Sequence, residues 1–170
     1  MLIRDALDAD VPQIVEIVNS FLRTTTTEWR ETEYTLDDRR EWLAEHRRVG
    51  APVLVADIDG DVAGFSCYGD FRDSQKWPGY RFVVEHTIHV RERHWGNGVG
   101  RALIDALVER AAAEGKRVMV AAVDAENVRS IRFHERCGFI EVARMPDIGF
   151  KFGRWLTLVL LQRRVDVSGR

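Results

Sequence analysis

The stretch "HWGNGVGRALID", residues 94–105, decides how the rest of the chain is read. Gly96, Gly98 and Gly100 fall within five positions, and a helical pattern starts directly after them. Glycine loses more backbone freedom on folding than any other residue, so such a cluster marks a sharp bend or a close approach. Before it, "YRFVVEHTIHV" (80–90) is rich in β-branched and aromatic residues and predicts a long strand. After it, Val99, Ala102, Leu103, Ala106, Leu107 and Ala111 share one face of a helix that Gly115 ends. At such a helix start the first backbone N–H groups have no partner and the dipole is positive. The loop is therefore an anion cradle, with phosphate as the usual anion. Arg91, Arg93 and Arg101 are expected to add positive charge around it. A bare strand-to-helix turn would need only one glycine.

Two common phosphate loops fit poorly. A dinucleotide fingerprint needs G-x-G-x-x-G soon after the first strand, whereas these glycines are spaced one residue short and follow four predicted strands. A P-loop ends in G-K-[ST], and this loop ends Gly100-Arg101-Ala102.

Working outward, "LIRDA" predicts a short strand, then a helix capped by Asp8 or Asp10 with Pro12 in its first turn. Val11, Ile14, Val15, Val18 and Leu22 give that helix an apolar face, and Thr24–Thr27 read as a loop. A second helix is expected over about Leu36 to Arg48, ended by Gly50 and Pro52. "PVLVADIDGDVAGFSCYG" (52–69) holds two strands around Asp59-Gly60, a hairpin signal. "KWPGY" (76–80) is a turn, and "KRVMVAAV" (116–123) is a continuously apolar strand, expected to be central. "NVRSIRFHERCGF" (127–139) is a short helix closed by Gly138, and "FIEVARM" (139–145) and "RWLTLVLLQ" (154–162) are the last strands. The order β-α-α-β-β-β-α-β-α-β-β predicts an α/β (α+β) fold in one domain, 1–170, with a mixed sheet and helices on both faces.

Composition sets the outer bounds. The chain has 170 residues, is 45% hydrophobic and carries a net charge of −2, which suits a globular domain and argues against a nucleic-acid binder. No apolar run approaches the roughly 20 residues that span a bilayer, and no apolar signal core opens the chain, so a cytoplasmic protein without membrane partners is expected. Cys67 and Cys137 sit in apolar surroundings and read as buried, reduced thiols. Strand side chains alternate faces, so His86 and His89, three apart, cannot share an ion, and no cluster completes a zinc set. No metal is expected.

The glycine loop resembles the acyl-CoA-binding motif of the GCN5-related N-acetyltransferases (GNAT), [QR]-x-x-G-x-[GA]. Trp95-Gly96-Asn97-Gly98-Val99-Gly100 aligns with it, with Trp95 at the usual Gln/Arg position. "NVRSIRFHERCGF" resembles the second motif of the family. "VEHTIHV" (84–90), His134 and "MPDIGFKFGRWLTL" (145–158) are similar to the phosphinothricin and methionine sulfoximine N-acetyltransferase branch. The resemblance implies a mostly antiparallel central sheet with splayed central strands, acetyl-CoA as co-substrate and a homodimer. It also implies that Ile88, His89, Val90, Gly96, Asn97, Gly98, Val99, Gly100, Arg101, Asn127 and Arg136 bind the coenzyme, the backbone amides around Ile88 to Val90 meeting the thioester carbonyl.

The chemistry then asks for specific groups. An α-amine has a pKa near 8 and must lose a proton before it attacks. Glu85 reads from sequence either as a carboxylate on a solvated strand face or as a base in a partly desolvated cleft, and the resemblance implies the base. His134 is either a packed histidine or, as the resemblance implies, a group near the thioester that orients the reactants or protonates the leaving thiolate. An acceptor carboxylate suits an arginine, with Arg72 first and Arg81 second. Asp73, Ser74, Glu85, His86 and Thr87 are expected to border the same small-molecule pocket. Lys151, Phe152 and Trp155 are expected to reach it from the chain end, across the dimer. The expected reaction is direct acetyl transfer in a ternary complex to the amine of phosphinothricin, methionine sulfoximine or methionine sulfone. Transfer to a polyamine, aminoglycoside or protein N-terminus remains open, as does a non-catalytic CoA-binding sensor.

Overall fold

The computed structural model describes residues 1–165. It contains β1 (Leu2–Asp5), α1 (Val11–Thr24), α2 (Leu36–Val49), β2 (Val53–Ile58), β3 (Asp61–Asp70), β4 (Val83–Val90), α3 (Val99–Ala113), β5 (Val118–Asp124), α4 (Val128–Arg136), β6 (Ile140–Lys151) and β7 (Arg154–Arg164). The strands form one sheet in the order β1-β2-β3-β4-β5-β7-β6. Among the described residues only β4 and β5 pair in parallel, joined by the α3 crossover. The expected element order and sheet class therefore hold.

Alternation along the strands divides the core in two. Leu54, Ala56, Val84, Met119, Ala121 and Val123 face α3 and α4, where they pack on Leu103, Ile104, Leu107 and Ile131. Val53, Val55, Phe65 and Cys67 face α1 and α2, where Val11, Ile14, Ile17, Val18, Phe21 and Leu43 cover them. β2 and β3 thus carry two different surfaces, one for each pair of helices.

Three local readings change. Asp10 stands at the start of α1 without capping it, because its carboxylate accepts from the Leu7 N–H (2.7 Å) and binds Arg4 at 2.7 and 2.9 Å. The expected closing strand at 139–145 runs on to Lys151. Pro146 is accommodated because β6 is an edge strand and its register shifts between Met145 and Gly149. Phe152 and Gly153, with φ of 51° and 74°, then turn the chain into β7.

Lys151 does not reach outward. It is 1% exposed, and its ammonium donates to the carbonyls of Leu22 (2.8 Å), Thr25 (2.9 Å) and Glu28 (2.6 Å). Burial pushes its pKa down, and Glu28 partly offsets this. A side chain from the end of the chain so ties down the loop after α1. Trp29 of that loop lies where a Cβ on Gly149 would be, 2.2 Å from its ring, so only glycine lets β6 pass. Thr26 donates to Asp124 at the end of β5, and Glu28 meets His89 of β4 at 2.9 Å. The loop is a strap across three strands.

Lys151→Met keeps the length of the stem but leaves three inward carbonyls without a donor. Such groups cost about 1–3 kcal/mol each when unpaired, with relaxation recovering part. Urea unfolding should show a loss of about 3 kcal/mol; a loss under about 1 kcal/mol would mean the strap does not depend on this ammonium.

Candidate active site

β4 and β5 pair only as Val83↔Val118, Val84↔Met119 and Glu85↔Val120. Beyond Glu85 they part, β4 staying with β3 to Val90↔Gly64 and β5 staying with β7 to Asp124↔Leu158. Ala122, in the middle of a central strand, is consequently exposed. The backbone pattern identifies which groups face the gap. Arg91 N–H donates to Ala63 O, and Phe71 N–H donates to Val83 O. Antiparallel bonding alternates, so residues 83, 85, 87, 89 and 91 bond to β3, while His86, Ile88 and Val90 turn their amides the other way. The Ile88 and Val90 N–H groups lie past the last β5 pair, at the opening. His89 does not contribute there. Its carbonyl lies 2.6 Å from a Cβ built on Gly64, and its ring bonds Glu28, so the expected coenzyme contact at His89 is not available to its amide or its ring.

The glycine loop follows at the open end. Gly96 and Gly98 have φ of 79° and 81°, and a Cβ on either would meet nothing within 4 Å. Their conformation requires glycine, and the space beside them is open. Gly100 differs, because its Cβ would come within 3.0 Å of Phe133, so this glycine serves the contact between α3 and α4. The first backbone bond into α3 runs from Ala102 N–H to Gly98 O at 3.0 Å, so the amides of residues 98–101 precede it without a backbone acceptor. These donors fit a pyrophosphate. Trp95 closes the connection by donating from Nε1 to Val90 O (2.7 Å), stacks on Phe21 and carries Arg129 at 4.3 Å.

Each arginine expected to add positive charge around the loop is paired with an acid. Arg91 pairs with Glu16 (2.9 Å), Arg93 with Asp61 (2.7 Å) and Arg101 with Asp105 (2.6 Å). The positive character of the cradle comes from main-chain N–H groups. Asn127 uses Oδ1 to cap α4 at Ser130 N–H (3.1 Å), and Arg136 is exposed at the far end of that helix.

Glu85 sits on the last β4–β5 pair, half-buried and without a hydrogen-bond partner among the described residues. Desolvation pushes its carboxyl pKa up. Alternation puts Glu85, Thr87 and His89 on the α1/α2 face and His86 on the other. His86 is 6% exposed, packed against His134 and Phe139 with ring centroids 5.1 and 5.3 Å away. The expectation that His86 shares a pocket with Glu85 and Thr87 is therefore corrected by strand geometry.

His134 is also buried. Its Nδ1 lies 2.7 Å from Ser130 O, and a carbonyl can only accept, so Nδ1 carries the proton. Burial pushes its pKa down, which favours the neutral ring with a bare Nε2. That Nε2 has no hydrogen-bond partner among the described residues. Neutral His134 is thus an acceptor at Nε2, and protonating a thiolate would first require the disfavoured imidazolium.

Arg72 is exposed, beside the Phe71 and Tyr80 rings at 5.8 and 5.7 Å, and has no ion pair among the described residues. Asp73 caps the turn at Gln75 and Lys76, and Ser74 N–H donates to Asp70. Sequence reasoning missed a cavity of about 550 Å³ under α2, lined by Glu28, Tyr34, Arg39, Trp42, Phe65, Cys67 and Thr87 among others. The signal was present, since Arg39 stands four residues before Leu43 on the buried face of α2, where an apolar residue is expected. Cys67 and Cys137 are free, and burial pushes the Cys67 thiol up to about 12, which removes it as a nucleophile. Among the described residues, no group of three or more His, Cys, Asp and Glu is arranged to hold a metal.

Residues 14–139 match the model of the acetyltransferase (GNAT) family. The chain is 45% identical over 165 residues to an L-methionine sulfoximine/L-methionine sulfone acetyltransferase of Pseudomonas paraeruginosa, covering 96% of this chain and 94% of the relative. It is 33% identical over 167 residues to a phosphinothricin N-acetyltransferase of Alcaligenes faecalis, covering 98% and 83%. A crystal structure of a GNAT superfamily phosphinothricin acetyltransferase from Sinorhizobium meliloti in complex with acetyl-CoA superimposes with a TM-score of 0.89 at 33% identity, over 96% and 87% of the two chains. The parted strands, the amide cradle and these likenesses agree: the chain belongs to the GNAT acetyltransferase family and is an acetyl-CoA-dependent N-acetyltransferase.

Proposed function

We propose that this enzyme acetylates the amine of a small amino acid analogue of the methionine sulfoximine, methionine sulfone or phosphinothricin type, by direct attack in a ternary complex with Glu85 as general base. The observation that carries the reading is Glu85 itself. Its unpartnered carboxylate has a raised pKa and stands where β4 and β5 separate. Relatives bearing those substrate names cover nearly the whole chain and support the acceptor class.

In this reading the amides at residues 98–101 hold the pyrophosphate, with Gly96, Asn97 and Arg136 at its borders and Asn127 flanking the pantetheine arm. The Ile88 and Val90 N–H groups polarise the thioester carbonyl in the gap. Glu85 accepts a proton from the acceptor ammonium, directly or through one water. The freed amine adds to the carbonyl carbon, the C–S bond breaks, and the proton shed by nitrogen balances the one taken up by the thiolate. His134 orients the reacting groups through its bare Nε2. Arg72, an exposed cation just past the end of β3, takes the acceptor carboxylate, with Ser74 beside it, while Thr87 borders the acceptor further along β4. The exposed side chains of Phe150, Phe152 and Trp155 on the β6–β7 arm support self-association as a homodimer. The cytoplasm is the compartment that suits two free thiols.

Glu85→Gln should lower kcat by about 10²-fold or more with acetyl-CoA affinity nearly unchanged. In the native enzyme kcat/KM should rise with pH as Glu85 ionises, over a range displaced above the ordinary carboxylate value, and that limb should vanish in the variant. The stability sign runs the other way. A carboxyl whose folded pKa is raised destabilises the fold as pH rises through that range. Glu85→Gln should therefore melt no lower than the native protein at pH 7. Unchanged turnover would remove Glu85 as the base. Gly98→Val forces a β-branched residue to a φ of 81° and puts its methyls into the cradle. Calorimetry should then find no acetyl-CoA binding, and undiminished binding would overturn the assignment of the cradle.

A further inference from the structure

Arg39 is the least explained charge in the molecule. It is 7% exposed on α2, yet its side chain makes no hydrogen bond and no ion pair among the described residues, and its Nε is buried without a partner. Its guanidinium carbon lies over the rings of Tyr34 (3.8 Å to the centroid) and Trp42 (4.8 Å). Of the four acids that line the cavity, Glu28 accepts from His89, Asp38 caps α2 with Thr35, and Glu45 binds Arg48, while Glu41 is exposed and forms no ion pair with Arg39. A buried cation without a direct ion pair is expensive, and desolvation lowers the pKa of Arg39, an effect that Glu28 only partly offsets. Two aromatic faces hold the plane in place while its edge borders the 550 Å³ cavity. A fixed guanidinium with a free edge is a receptor for paired oxygens.

The register indicates which oxygens. Glu85 pairs with Gly69, while Thr87 and Cys67, which line the cavity, form the pair two residues further along β3 and β4. Two residues of strand span about 7 Å. An α-carboxylate sits on the carbon that bears the amine, so it must stay beside Glu85, on the Arg72 side. The tip of the acceptor side chain lies several bonds further from the amine and can reach the cavity. We infer that Arg39 is the specificity-determining residue for the distal, oxygen-bearing group of the acceptor, the tetrahedral sulfone, sulfoximine or phosphinate head, which its guanidinium grips while Tyr34, Trp42 and Phe65 enclose the attached methyl. This deepens the amino acid analogue reading above and rests on it. The arrangement makes the enzyme select oxidised or phosphinyl side chains over plain aliphatic ones of equal length, because only the former satisfy the buried cation.

The test compares methionine sulfone with norleucine, which has a side chain of the same length and no oxygens, in a thiol-release assay with acetyl-CoA. The native enzyme should prefer the sulfone. In Arg39→Met, which keeps an unbranched stem between the two rings, kcat/KM for the sulfone should fall about 10- to 100-fold, mainly through KM, while the norleucine value stays within about threefold. Arg39→Lys, which keeps the charge but loses the fork, should fall between the native enzyme and Arg39→Met. If both substrates decline together in Arg39→Met, or if the preference survives in both variants, Arg39 is a packing residue and the inference fails. If the native enzyme acetylates neither compound, the acceptor class proposed above fails instead.

Discussion

Beyond Glu85↔Val120 two neighbouring strands of one sheet stop sharing hydrogen bonds. Buried backbone groups need partners, so an interior parting of this kind is costly unless something fills it. β4 keeps β3 and β5 keeps β7, which preserves the sheet on both sides. The inner amides of Ile88 and Val90 are left for a ligand, and the α3 N-terminus lies at the open end of the same gap. The parting also sets the position of Glu85. It is the last β4 residue still paired to β5, so its carboxylate has a rigid base, a mouth of solvent and no hydrogen-bond partner among the described residues. An elongated coenzyme with an anionic end and an amide-rich arm suits such a slot.

The sheet separates two chemical environments. On the α3/α4 face, His86 and His134 lie together in an apolar setting that keeps both neutral. On the α1/α2 face lie Glu85, Thr87, the Glu28–His89 contact and the Arg39 cavity, the polar surfaces suited to a zwitterionic acceptor. The strap at residues 25–29 is drawn over this face by Thr26, Glu28, Trp29 and Lys151, which come from distant parts of the sequence. Lys151 holds carbonyls, not a carboxylate, so the strap is fastened by one buried ammonium whose net effect depends on the donors it satisfies.

Much of this is legible in the sequence. The three- and four-residue spacing of apolar positions marked α1 and α3, Asp59-Gly60 marked a hairpin, and the glycine cluster marked a strand-to-helix turn. These signals are local: periodicity, turn chemistry and the freedom of glycine act within a few residues of each other. The readings that changed were long-range ones. Arg91, Arg93 and Arg101 looked like a positive collar, yet their partners Glu16, Asp61 and Asp105 belong to other elements or to the next helical turn. His86 looked like a neighbour of Glu85 because it is next to it in the chain, and the two-residue period of a strand turned it to the other side.

By itself the sequence determined the order of elements, the single sheet, the amide cradle and the presence of an acid on the strand before it, because each follows from interactions among nearby residues. Only the tertiary structure decided where β4 and β5 separate, which arginines remain free, and that Arg39 and Lys151 are buried cations with different surroundings. Those facts depend on which distant side chains arrive to neutralise, cover or donate to one another. No pattern along one chain specifies that until the helices have settled on the two faces of the sheet.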